Sequence, residues 1–357
     1  MIRPIDVLIL LSGSCLGDQS TDDSGTAPTD TVLGDGCEEA PPGIPGSLTE
    51  ALADGSVVEL GWGTFRLTAE EASGLTGAQI VATCPARTIL EVEQTTLAEG
   101  EVALAGLTLR PLGDLGLADT TLRLVDGAID ASQGGIRLET GRVQLERVRV
   151  RKTAGVGLTV EGGEATITRS RITSEGLGAV GVVVRGGRVS IADSELVGLS
   201  GAAVEVRGGG FGAERTTFAQ TGGLRVLGGE STLLEAEIRG TRRTTGFGAG
   251  LFVSAGSLIV DGTTIQDGLG PGAVVTNDGS LSLSEVRVSG HTFAGVWVAD
   301  ATASLTDVDV DGNGADPDLG GGVGVGAVAE RGNTAISWVR GRATGHPVAP
   351  VYVSGGG

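Results

Sequence analysis

Four aspartates in the last sixth of the chain have the spacing of a calcium loop. Asp307, Asp309 and Asp311 alternate, Gly312 follows, and Asp318 closes a D-x-D-x-D-G-x5-acid segment. Hard oxygen ligands around a sharp glycine turn are what Ca²⁺ requires, and it is the one cofactor this sequence suggests. Against that reading, Asp307 and Asp309 fall where a strand would face water, and Gly314 stands where such a loop carries a hydrophobic residue. A solvated acidic turn is the plainer expectation. A second group is basic: residues 137–188 hold ten bases and five acids. Arg147 with Arg169, and Arg149 with Arg171, fall at matching places of a repeat, so their guanidinium groups would stack into a ladder. Such a ladder suits carboxylates or sulfates spaced along an acidic glycan. In the competing reading, acids such as Glu146 and Glu195 neutralise it as surface pairs worth little.

Other candidate groups stand alone. Glu235, Glu237, Asp261 and Glu285 lie singly among Ser, Thr and Gly. His291 and His346 lie in loops without Cys, Ser or acid at catalytic spacing, and are expected at the surface. The string GGGVGVG at 320–326 lacks the strand-and-helix context of a phosphate loop and reads as corner glycines.

These side chains are positioned by a repeat. Apolar anchors recur at Leu104, Leu124, Leu145, Ile167, Ile191, Ala213, Leu233, Val260, Leu283, Leu305 and Ile336, with a Gly four residues before most of them. An apolar residue follows five after ten of the eleven, from Leu109 to Val310, and only Gly341 breaks the series. A second alternating strand precedes the Gly, as in GLTV at 157–160 and GVWV at 295–298. The series extends backward through Ile80 to Leu60. Strands this short cannot bury an apolar row alone, but coils stacked about 4.8 Å apart merge the rows into one core. With aromatics at 3% of residues, that core must be built from Val, Leu, Ile and Ala. Coil lengths vary and only three Asn occur, so hexapeptide, leucine-rich and propeller repeats do not fit.

The pattern resembles the right-handed parallel β-helix of the pectate-lyase-like superfamily. The resemblance implies an all-β solenoid of about 11 to 13 coils over residues 47–357. Ser47 to Glu50 forms a capping box that predicts a short N-terminal helix over the first coil. For function, the resemblance offers lyases that pair calcium-binding acids with an Arg or Lys base, and hydrolases that use clustered carboxylates. No such cluster is visible in the sequence. The expectation is therefore a non-catalytic protein that binds glycan or a cell-surface protein along a strand face. The alternative is a polysaccharide lyase or glycoside hydrolase on an acidic polysaccharide, which would need a base and an acid or metal meeting in one cleft.

The N-terminal end points to export. Arg3, the apolar run Ile5 to Leu11 and small residues before Cys15 form a short signal pattern over residues 1–15. It resembles a bacterial lipoprotein signal, which implies lipid on Cys15 and an outer-membrane or cell-surface lipoprotein; plain secretion to the periplasm or medium is the alternative. No apolar run approaches 18 residues, so membrane attachment is expected only through the lipid. The net charge of −19 is uneven, with nine acids and no base from Asp18 to Asp54. Residues 16–46, rich in Thr, Ser, Gly and Pro, read as a disordered acidic spacer. Nucleic acid is not an expected partner of this acidic chain. In an oxidising compartment the two remaining cysteines, Cys37 and Cys84, are expected to pair; two buried thiols are the alternative.

Overall fold

The computed structural model describes Leu48, Leu52 and residues 57–355, apart from 83, 153, 175, 243–247, 316–321 and 330–333. The chain divides into units Met1–Glu38 and Glu39–Gly357. The described residues all belong to the second, and residues 1–15, the whole spacer at 16–46, Cys15 and Cys37 lie outside them.

One coil shows the plan of the whole. An anchor strand, Gly141–Glu146, turns a corner into a short strand, Arg149–Lys152, and the chain comes back along a return strand, Val156–Val160. Val143 and Leu145 point inward and are buried, while Arg142 and Gln144 face out, the alternation that a half-buried strand dictates. Each strand pairs in parallel with its counterparts in the neighbouring coils. Gly141–Glu146 lies between Leu115–Val125 and Glu164–Thr168, and Arg149–Lys152 between Ala128–Asp130 and Arg171–Ser174. The short strands alone form a sheet of 13, one per coil. The inward rows join into one continuous core of Leu, Val, Ile and Ala. Each fully buried Leu or Ile contributes roughly 1.5–3 kcal/mol.

The anchors stack as the repeat predicts from Leu104 to Leu305. At both ends the expected alignment is off by two. Leu305 pairs with Trp338 and not Ile336, and Ile80 pairs with Val58 and not Leu60. A slip of two residues keeps every side chain on its own face, so alternation cannot distinguish the two registers.

Two corners hold the coils in line. Before the anchor strands, glycines stack: a Cβ on Gly163, whose φ is +71°, would lie 2.4 Å from the carbonyl oxygen of Gly141. Two residues after the anchors, a left-handed residue recurs at Asp126, Arg147, Arg169, Asp193, Arg215, Glu235, Glu285, Asp307 and Arg340. Behind it runs a buried hydroxyl ladder, in which Ser170 Oγ accepts the Val148 N–H at 3.0 Å and donates to the Thr168 carbonyl at 2.8 Å. At the start of the solenoid Leu48 and Leu52 are helical and buried, and a Cβ on Gly74 would lie 3.6 Å from the Leu52 Cβ. The rest of the expected capping helix lies outside the described residues.

Candidate functional site

The arginine ladder exists and is largely neutralised. Arg147 and Arg169 occupy successive left-handed corners. Arg147 donates to both carboxylate oxygens of Asp126, at 2.5 and 2.8 Å, and Glu146 accepts from Arg147 and Arg169 together. The Asp126 carboxyl is held below its usual pKa by that Arg147 fork. Arg149 and Arg171 are register partners on the outward side of the short strands, and Arg171 approaches Glu195 at 3.6 Å. Cations already matched by carboxylates offer little net attraction to an anionic chain.

Asp307, Asp309 and Asp311 are not gathered into a metal site either. Asp307 sits in a corner and takes a two-pronged bond from Arg340 at 2.8 Å, Asp309 meets Arg342 at 3.1 Å, and Asp311 accepts from Thr344 Oγ1 at 2.8 Å. Each carboxylate is engaged by the next coil, and Asp318 lies outside the described residues. No group of three His, Cys, Asp or Glu able to hold a metal occurs among the described residues. Cys84 is buried. His291, expected at the surface, is 1% exposed: it extends inward from the corner after a short strand, and its N–H donates to Asn313 Oδ1 at 3.0 Å. The lack of a side chain at Gly268 makes room for its ring, since a Cβ there would lie 2.4 Å from His291 Nδ1.

Chemistry-bearing groups converge instead on the return strands. Their outward positions stack in register from Thr96 through Gly116, Arg137, Glu205 and Arg225 to Phe252, Trp297 and Tyr352. At about 4.8 Å per coil this row runs on the order of 50 Å. Near its start is a groove of about 380 Å³ lined by Gln94, Thr95, Thr96, Asp114, Gly116, Arg137 and Glu139. Gly116 makes the notch, because a Cβ there would lie 2.5 Å from Thr96 Oγ1. Arg137 spans the wall, at 3.8 Å from Glu139 and 2.8 Å from Glu161. Asp114 accepts the Gly135 N–H at 3.1 Å. Lys152, the one lysine of the chain, is buried; burial lowers its pKa, and the charge of Asp114 acts on it in the opposite sense.

Beyond the groove, Glu161 accepts from Arg137 and from Arg185 at 3.1 Å, and the Arg137 bond keeps its carboxyl below the usual range. The buried Glu205 accepts from Arg207 at 2.6 Å and Arg225 at 3.2 Å, and Arg225 lies 5.9 Å from the Phe252 ring centroid. The sequence shows these strands but not this face. The overlooked signal is that Phe252, Trp297 and Tyr352 occupy the same outward position of their return strands.

Residues 154–314 match the family model described as a right-handed β-helix region, and the fold is a right-handed parallel β-helix. No curated protein matches the chain. Among solved structures it is similar to the A-module of an Azotobacter vinelandii mannuronan C-5 epimerase (13% identity, TM-score 0.47, 86% of this chain and 92% of that one). It is similar also to a mannuronic acid specific family 6 polysaccharide lyase from human gut microbiota (13%, 0.42, 81% of each). A third likeness is to the catalytic domain of a family 87 α-1,3-glucanase (12%, 0.38, 94% and 70%). These likenesses are distant and leave the chemistry of the groove to its own residues.

Proposed function

We propose that this protein is a carbohydrate-active enzyme that holds a polysaccharide along its return face and acts on it at the groove around Gly116. The observation that supports this is the meeting of Asp114, Glu139 and Arg137 in one groove. The stacked return strands repeat at nearly the length of one sugar residue, so a chain laid along the solenoid meets equivalent positions in turn. Asp114 and Glu139 flank the Gly116–Arg137 pair on opposite sides, four positions and one coil apart. We favour elimination on an acidic polysaccharide, because Arg137 stands between the two carboxylates in the groove. Arg137, exchanging its bond to Glu161 for the sugar carboxylate, would acidify the adjacent C–H; the groove carboxylate Asp114 would take that proton as the glycosidic C–O bond breaks, and the leaving oxygen would take a proton from water.

The test is to incubate the protein with acidic and neutral polysaccharides, following unsaturated ends by ultraviolet absorbance and new reducing ends by colour. Unsaturated product from an acidic substrate is expected. Asp114→Asn should lower kcat/KM by about a hundredfold or more, the usual share of a positioned acid or base. No product across the panel would overturn the enzymatic reading.

A further inference from the structure

We infer that the C-terminal part of the return face carries a second binding site, a flat aromatic platform for a neutral, β-linked polysaccharide of all-equatorial sugars. It lies away from the groove and does not depend on the reaction proposed there.

Trp297, Gly326 and Tyr352 are successive register partners on the outward side of three return strands. A Cβ on Gly326 would lie 2.2 Å from Trp297 Cε3 and 2.4 Å from Cζ3, so the indole occupies the space of the missing side chain. The Tyr352 ring, one coil beyond Gly326, is nearly parallel to the indole, at 14° with centroids 6.2 Å apart. Phe293 packs against the indole at 4.9 Å with a tilt of 57° and holds it in place. Its own backbone is clamped in the left-handed region at φ +73°. The Phe293 N–H donates to the Gly314 carbonyl, and the Phe293 carbonyl accepts from Gly322 and Val323. A bulky residue kept in that conformation is a strain that the surroundings must hold, as happens at binding sites.

The ligand follows from the chemistry. A flat aromatic surface matches the C–H face of a pyranose whose substituents are all equatorial, the geometry of β-linked glucose or xylose. Strands Ala273–Thr276, Ala294–Ala299, Val323–Ala329 and Ala349–Gly355 contain no charged residue, whereas Arg137, Glu205 and Arg225 stand on the earlier return strands. A charged sugar laid here would lose hydration without gaining a partner. Tyr352 is 40% exposed, so the platform is open to solvent.

The experiment is native electrophoresis of the full chain through gels containing hydroxyethylcellulose, xylan or polygalacturonate. Retardation by a neutral glycan is expected, with Trp297→Ala and Tyr352→Ala each weakening it by roughly tenfold or more, as for loss of a central aromatic contact. Gly326→Val should do the same with both rings retained, because it displaces the indole; if that variant does not fold, Tyr352→Ala at the exposed end still decides. Unchanged retardation in Trp297→Ala and Tyr352→Ala, or none by any neutral glycan, would overturn the inference. Self-association that Trp297→Ala abolishes, without glycan retardation, would reassign the surface to a second copy of the chain. Retention that survives in Asp114→Asn, whatever happens to product release, separates this site from the groove.

Discussion

The backbone of Arg147 is left-handed, at φ +53°, and its side chain is paired to Asp126. An L-residue there carries a conformational cost of roughly 1–2 kcal/mol that glycine does not. Arg147→Gly should therefore be more stable than Arg147→Ala by about 1 kcal/mol in denaturant unfolding, although both lose the same ion pair. Equal stabilities would mean the corner relaxes. His291 makes a different prediction. Burial drives its pKa below the ordinary 6.5, against the opposing bonds to the Ile265 and Gly270 carbonyls and the charge of Asp267. The folded state thus binds a proton less readily than the unfolded chain. Stability should be full above about pH 6.5 and fall as the pH drops through that value toward the lowered pKa of the folded state. Melting temperature measured from pH 8 to 5 checks this, with His291→Asn expected to flatten the slope. An unchanged slope in that variant would assign the pH dependence elsewhere. Neither feature was legible beforehand. A histidine in a glycine-flanked loop reads as surface, and only the space left by Gly268, 23 residues away and in the neighbouring coil, allows it inside.

At the scale of the strand and corner, most of the architecture was legible. Apolar alternation located the anchors from Leu104 to Leu305, and the residues five beyond them, such as Val150, Ile172 and Leu196, stack as a second inward row. The glycines before the anchors carried a physical demand as well as a pattern. Gly163→Ala adds a Cβ that would lie 2.4 Å from the Gly141 carbonyl oxygen, in a left-handed backbone, and should destabilise the fold by about 2 kcal/mol or more in chemical unfolding. A loss under about 0.5 kcal/mol, the usual range for surface changes, would show that the stack is loose. The register at the two ends was not legible, since a two-residue slip preserves alternation. The groove escaped for another reason. It is an empty position, Gly116, between Thr96 and Arg137, residues about twenty apart whose meeting depends on knowing which outward positions share a face.

Across the whole molecule, one face is organised differently from the others. Corner and short-strand charges pair along the stack, as in Arg110 between Glu91 at 3.0 Å and Asp130 at 2.9 Å, and leave a surface matched to itself. The return face has the groove at one end and aromatic rings at the other. The central claim is that polysaccharide is handled on the return face and not on the arginine ladder that the sequence suggested. Comparing product release by two double variants tests it most directly. The account predicts that Arg137→Gln with Arg185→Gln abolishes turnover of an acidic polysaccharide, while Arg149→Gln with Arg171→Gln leaves it within about twofold, the small effect expected of exposed surface charges. Loss of turnover in the short-strand variant, with the return-face variant active, would contradict it.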